Sequence, residues 1–258
     1  MSEKVVLHQK NDQAVRAWFG EGPITKQSRL RLFCFPYAGG NAQIYRTWGT
    51  SLPRDVSVVP VELPGRGPRL KEPRYLSVTA LVETLTAIME PVLDKPFAFF
   101  GHSMGAIIAF ELARAVRRVH GLEPEILFVS GRRAPQIPDT DPLTYDLPYQ
   151  EFVLELERIN GTPKEVLEHA ELMQMMLPLL RADFQLVQTY QYLPDERLKC
   201  PITAFAGVED DEETPELLAA WKEQTSSHFA MHRLPGDHFF IRSSKTHLLH
   251  ALSSALKT

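Results

Sequence analysis

Ser103 stands in the run Gly101-His102-Ser103-Met104-Gly105, a Gly-x-Ser-x-Gly spacing that suits a serine for nucleophilic attack on an acyl carbon. The flanking glycines remove side chains where a strand turns sharply into a helix, and the hydroxyl is left exposed at the strand end. A serine hydroxyl is a poor nucleophile near neutral pH, so the chemistry needs a base, and histidine is the usual one. Nine histidines are present. His102 adjoins the serine, so its side chain should point away from the hydroxyl. His8 lies in an N-terminal arm, His120, His169, His247 and His250 sit on polar helical surface, and His228 and His232 fall in a strand. His238 differs: Pro235-Gly236-Asp237-His238-Phe239-Phe240 is a turn directly after the last strand.

The acid that orients the base should lie between Ser103 and His238, at another strand end. The run Gly207-Val208-Glu209-Asp210-Asp211-Glu212-Glu213 offers five carboxylates in a row, which also reads as a solvated loop. Asp210 is the first choice, because Gly-x-x-Asp after the strand puts its carboxylate at the inner bend; Asp211 is the second. An oxyanion formed on attack needs two donors. One is expected from the Met104 amide, the other from the loop Phe35-Pro36-Tyr37-Ala38-Gly39-Gly40-Asn41, with Ala38 preferred over Tyr37. A plain glycine turn would also explain that loop.

These residues need a scaffold that gathers strand ends. Leu30–Phe35, Val56–Val61, Phe97–Phe100, Glu125–Val129, Ile202–Ala206 and His228–Leu234 read as short apolar strands. Helix-period segments alternate with them: Val78–Met89 capped by Ser77, Met104–Arg118, and Pro215–Gln224 after Thr214. The alternation predicts an α/β fold, a mostly parallel central sheet with helices on both faces. It breaks between 134 and 192, where Glu151–Arg158, Pro163–His169 and Glu171–Tyr190 read as helices and Pro178 should kink the last. This stretch is either a core helix region or a cover over the site, its Met and Leu side chains suiting varied apolar ligands. The expected division is an N-terminal arm at 1–28, pinned by Trp18 and Phe19, a core at 29–133 and 193–258, and a helical lid at 134–192.

Bulk properties narrow the functional classes. The 258 residues are 44% hydrophobic and 23% charged, with a mean hydropathy of −0.18, enough to bury a sizeable core. A net charge of −4 gives no attraction for phosphate backbones or anionic membranes, so nucleic acid and membrane are not expected partners. Cys34 and Cys200 form neither a disulfide framework nor a metal-type pair, and no metal or cofactor is expected. With an apolar run at the N-terminus too short for a signal peptide, the expected setting is the cytoplasm.

The segments Phe-Pro-Tyr-Ala-Gly-Gly, Glu62-Leu63-Pro64-Gly65-Arg66-Gly67, Gly-His-Ser-Met-Gly, Ser130-Gly131-Arg132-Arg133-Ala134-Pro135, Leu180-Arg181-Ala182-Asp183 and Gly-Asp-His-Phe-Phe occur in an order that resembles the type II thioesterases. These are free-standing editing enzymes of polyketide and nonribosomal peptide synthesis with the α/β-hydrolase fold. The resemblance runs from about Arg29 to the C-terminal helix. It implies hydrolysis of acyl thioesters from the phosphopantetheine arm of acyl or peptidyl carrier proteins, by a monomer. It also implies Ser103, Asp210 and His238 as a triad, with the 134–192 helices over an acyl channel. The family often has Asp-Pro where this chain has Asp210-Asp211. Two other enzyme activities fit the same triad, a medium-chain fatty acyl thioesterase and a small-molecule carboxylesterase; a non-hydrolytic carrier-binding module is a third alternative.

Overall fold

A computed structural model describes residues 12–20 and 28–257. The opening residues, with His8 and the segment scanned for a signal peptide, lie outside the described residues, as do 21–27 and 258. Six strands form one sheet: β1 (Leu30–Phe35), β2 (Val56–Pro60), β3 (Phe97–His102), β4 (Leu127–Ser130), β5 (Ile202–Gly207) and β6 (Phe229–Leu234). Their order is β2-β1-β3-β4-β5-β6, and every pairing is parallel. All six predicted strands are present, with ends shifted by one or two residues. The order reverses between β1 and β3, and at such a switch point the connections leave in opposite directions and open a crevice at the strand carboxyl ends.

Strands β1, β3, β4 and β5 are buried along their whole length, as expected for a parallel sheet covered on both faces. One face packs Phe33, Phe35 and Phe99 against α2 (Val78–Met89) and α3 (Met104–His120). Ser77 caps α2 by accepting the Ala80 amide. Gly121, in the left-handed region, ends α3 after a last turn carrying Arg117, Arg118 and His120, which suits the negative end of the helix dipole. The opposite face packs Tyr45, Trp48 and Phe100 beside the short α8 (Phe240–Ser243) and α9 (Lys245–Ala255). In the described part of the N-terminal arm, a helix over residues 12–19 (α1) buries Trp18 and Phe19 against the first face, as expected. The predicted Pro215–Gln224 helix is α-helical only over Pro215–Ala219 (α7) and continues as a 3-10 turn to Gln224.

Between β4 and β5 the chain forms α4 (Tyr149–Ile159), α5 (Lys164–Leu167) and α6 (Ala170–Gln188). Phe152, Leu156, Met173 and Leu180 make a small apolar cluster of their own here. The far end of α6 instead joins the main core through Leu186. The α-helix runs on through Pro178. Among the described residues no helix is long and apolar enough to cross a membrane.

The tightest point in the fold is where β3 passes into α3. A Cβ at Gly101 would overlap the Gly105 carbonyl, and one at Gly105 would overlap the Phe35 carbonyl at the end of β1. The obstacles are backbone atoms and cannot rotate away. Gly101→Ala and Gly105→Ala should therefore each destabilise the protein by more than about 4 kcal/mol, in the extreme tail for single substitutions. Urea unfolding against a control Gly49→Ala, where a Cβ meets only Val58 at 3.9 Å, measures the difference.

Candidate active site

Ser103 occupies φ 53°, ψ −114°, a left-handed conformation that a non-glycine residue rarely adopts. Such a backbone costs of order 1–3 kcal/mol and persists only where its surroundings over-determine it. They do so here: the Ser103 amide donates to the Ser130 carbonyl at 2.7 Å, and glycines Gly101 and Gly105 admit the neighbouring backbone. The side chain is half-buried on the floor of a cleft it shares with Tyr37, Ala38 and His238. Its hydroxyl makes no hydrogen bond to a described residue, and none joins it to His238 in this structure.

His238 follows β6 in the loop held by Gly236 (φ 110°). Its Nδ1 lies 2.9 Å from Asp210 Oδ2, so the ring donates to the carboxylate and keeps its Nε2 lone pair for a proton. Burial alone would depress His238, but the hydrogen bond and charge of Asp210, with Glu213 and Glu212 behind it, outweigh this and raise its pKa. Burial likewise would raise Asp210, yet the His238 contact and the Glu213 and Glu212 amides hold its carboxyl below the usual range. Both amides donate to Asp210 Oδ1 at 3.2 Å. The two shifts agree in direction: each partner favours the charged form of the other.

The acid-rich loop is thus not simply solvated. Asp210 is buried and meets His238; Asp211 is exposed. Glu213 is buried with its pKa raised by desolvation, against the pull of Arg132 and Arg133. His102 points away from the serine, as its neighbouring position requires. Its ring is fully buried between Tyr37, Phe239 and Phe240, with Nδ1 2.9 Å from Ser130 Oγ. Burial, then the nearby His238, drives its pKa well down, so it stays neutral beside His238. Of the other described histidines, His169, His247 and His250 are exposed. His120 is half-buried with Nε2 on the Thr86 carbonyl, His228 precedes β6, and His232 stacks on Phe205.

Tyr37 to Gly40 form a turn closed by the Gly40 amide donating to the Tyr37 carbonyl at 2.9 Å. Gly39 has φ 74°, and Ala38 is not among the residues at positive φ, which defines type II geometry. The Ala38 and Met104 amides donate to no acceptor among the described residues. Both are therefore free to serve an anion. Tyr37, the second choice as a donor, is buried, and its hydroxyl accepts from Arg242 at 2.6 Å.

The cleft encloses about 900 Å³ including its mouth. Leu156, Ile159, Leu180, Phe184 and Val187 form its apolar wall, all from α4 and α6, while Arg132, Glu155, Arg158 and Glu212 sit on its polar side. No methionine among the described residues lines it. Met173 and Met176 pack within the helical cluster and Met175 faces solvent, so the adaptable wall expected of the methionines is built from Leu, Ile, Val and Phe.

The profile of the thioesterase domain family matches residues 30–256. The chain belongs to the thioesterase family. This thioesterase is 44% identical to the gramicidin S biosynthesis protein GrsT of Aneurinibacillus migulanus, over 94% of this chain and 95% of that one. It is 37% identical to the thioesterase PikA5 of Streptomyces venezuelae, over 89% and 82% of the two chains. Among solved structures it is similar to the type II thioesterase BorB from the borrelidin biosynthetic cluster, 34% identical with a TM-score of 0.83, covering 92% of this chain and 97% of BorB. The type II kinship anticipated from the sequence motifs therefore holds, and with it the α/β-hydrolase architecture.

Sequence reasoning missed one pair. Arg66 and Asp183 meet in a buried, bidentate ion pair beside the Ala38 turn. Both residues stand in runs that carry the family resemblance, Glu62-Leu63-Pro64-Gly65-Arg66-Gly67 and Leu180-Arg181-Ala182-Asp183, but nothing in those runs pairs one with the other.

Asp210 and Asp211 give a sharp contrast. Asp210→Asn should lower kcat by a factor on the order of 10³–10⁴, the range for removing an orienting carboxylate; Asp211→Asn should stay within about twofold. Because Asp210 raises the His238 pKa, and the base must be neutral to act, wild-type kcat/KM should fall on acidification through a pKa above the ordinary histidine range. Losing the carboxylate should move that limb to lower pH, which a pH–rate profile of the residual Asp210→Asn activity reads directly.

Proposed function

We propose that this thioesterase hydrolyses acyl thioesters from the phosphopantetheine arm of acyl or peptidyl carrier proteins, clearing stalled or aberrant chains during polyketide or nonribosomal peptide synthesis. The observation that carries the reading is near-full-length similarity, at 44% and 34% identity, to the gramicidin S biosynthesis protein GrsT and the type II thioesterase BorB of the borrelidin cluster. The cleft supports it: a serine, a histidine–carboxylate pair and two free amides converge below an apolar wall.

In this mechanism Ser103 Oγ attacks the thioester carbonyl while His238 Nε2 takes its proton. The carbonyl oxygen becomes an anion held by the Met104 and Ala38 amides, at the amino end of α3, where the helix dipole adds to the stabilisation. The C–S bond breaks as His238 returns the proton to the pantetheine sulfur. Water, deprotonated by His238, then attacks the acyl-serine carbonyl; the acyl C–O bond to Ser103 breaks, His238 returns the proton to Ser103 Oγ, and the free acid leaves. Asp210 stays ionised throughout and stabilises the imidazolium. No metal or bound cofactor takes part in these steps.

Residues 134–192 act as a lid on a core made of 29–133 and 193–258, with 1–28 as an N-terminal arm in the sequence. Their separate apolar cluster supports this role, as do the exposed tethers that join them to the site loops: Arg158 to Glu212 at 2.8 Å and Asn160 to Asp237 at 3.2 Å. Such exposed contacts are each worth about 1 kcal/mol or less, weak enough to open. The enzyme works in the cytoplasm, as a monomer, with the carrier protein as its partner.

Ser103→Ala should remain folded, with an unchanged circular-dichroism spectrum and melting point within about 3 °C, and should lose at least about 10³-fold in release of a radiolabelled acyl group from its carrier. Wild-type enzyme should process carrier-bound thioesters with a kcat/KM well above that for aryl esters of the same acyl group. A preference for the aryl ester would favour a carboxylesterase.

A further inference from the structure

Two backbone groups that follow Ala38, the Gly39 amide and the Gly40 carbonyl, are both held by one buried ion pair. The Gly39 amide donates to Asp183 Oδ2 at 2.7 Å. The Gly40 carbonyl accepts from Arg66 Nη1 at 2.9 Å. Arg66 in turn grips Asp183 bidentately, Nη2 to Oδ1 at 2.7 Å and Nη1 to Oδ2 at 3.0 Å. The two side chains are only 5% and 3% exposed. Anion on amide and cation on carbonyl are charge-assisted contacts, stronger than ordinary backbone pairing.

The turn needs such a clamp because its own sequence does not choose a conformation. Glycine at position 39 accepts positive or negative φ with similar ease, so the Ala38–Gly39 peptide could rotate between type II and type I. In the rotated form the Ala38 carbonyl replaces the Gly39 N–H opposite the Asp183 carboxylate. Oxygen then faces a buried anion, and that form is expelled. The clamp also joins three distant segments: the β1 loop, the loop after β2 that carries Arg66, and α6, which supplies Asp183 and, one turn earlier, Leu180 of the cleft wall. Leu180 packs against the turn itself, for a Cβ on Gly39 would come within 2.6 Å of its Cδ2.

We propose that Arg66 and Asp183 are positioning residues for the reaction: their buried pair locks the Tyr37–Gly40 turn so that the Ala38 amide meets the oxyanion, and anchors that alignment to α6. This rests on the reading of Ala38 as an oxyanion donor in a serine thioesterase. The pair touches no reacting atom. Its contribution is to the transition state, because a donor displaced by about 1 Å costs rate far more than it costs ground-state binding.

The test separates alignment from folding. Asp183→Asn strands Arg66 as a buried unpaired charge and weakens the fold as well as the clamp. The double variant Arg66→Met/Asp183→Leu removes both charges and keeps apolar bulk, a replacement that buried ion pairs often tolerate. Three quantities are measured on wild type and both variants: the thermal midpoint, kcat and KM on an acyl-N-acetylcysteamine thioester, and affinity for two inhibitors. The inhibitors are an alkyl trifluoromethyl ketone, which forms a tetrahedral oxyanion on a reactive serine, and the matching unreactive amide. The double variant should melt within a few degrees of wild type, with KM within about threefold, kcat down about 10- to 100-fold, ketone affinity down by the same factor, and amide affinity unchanged. A double variant with wild-type kcat and ketone affinity would overturn the proposal, as would a loss confined to KM and amide binding. Failure of the carrier-editing reading looks different: wild type would ignore carrier-bound thioesters and yet bind the ketone, and the comparison between variants would still decide the role of the clamp.

Discussion

The backbone of Ser103 is held in a conformation it would not choose, and the rest of the site is arranged around that fact. Its left-handed φ of 53° turns the chain from β3 into α3 within one residue. The turn is possible only because Gly101 and Gly105 let two carbonyls approach where a side chain would stand. Strain of this kind exposes the hydroxyl, aims the first amides of α3 at the same point, and is sustained by the burial of β1, β3 and α3 around it. The core is in this sense the support for one unfavourable residue.

Electrostatics completes what the elbow begins. His238 and Asp210 arrive on loops after β6 and β5, and each favours the charged form of the other although burial acts against both. His102 next door is driven the other way, because it is buried without a carboxylate partner. Two histidines with ring centres 5.4 Å apart are thus shifted in opposite directions by their surroundings alone.

Much of this was legible in the sequence because it is local. Strands buried on both faces announce themselves as apolar runs, Ser77 and Thr214 mark helix starts, and the glycine spacing around Ser103 leaves few other meanings. His238 stood out by its place after the last strand. The acid was harder, since five carboxylates in succession differ only in which way each faces, and that is decided by the turn at Val208–Glu209 and by the two amides that receive Asp210. The methionines of α6 misled for a related reason: the face a helix turns to the cleft depends on how it docks, and Leu180, Phe184 and Val187 took that face. Arg66 and Asp183 lie 117 residues apart, and no periodicity links them.

The helices over the cleft complete the account: an apolar wall for the chain, exposed tethers at the mouth, and a buried ion pair at the root beside the Ala38 turn. The central claim is that Ser103 takes the acyl group from a carrier thioester before water does. Intact-protein mass spectrometry after rapid mixing with an acyl-loaded carrier protein and an acid quench tests it most directly. The predicted result is a mass increase equal to the acyl group, mapped by peptide fragmentation to Ser103 and decaying as free acid appears. Release of free acid with no acyl-enzyme at Ser103 at any time, under conditions where a slow-deacylating substrate must accumulate it, would contradict the account.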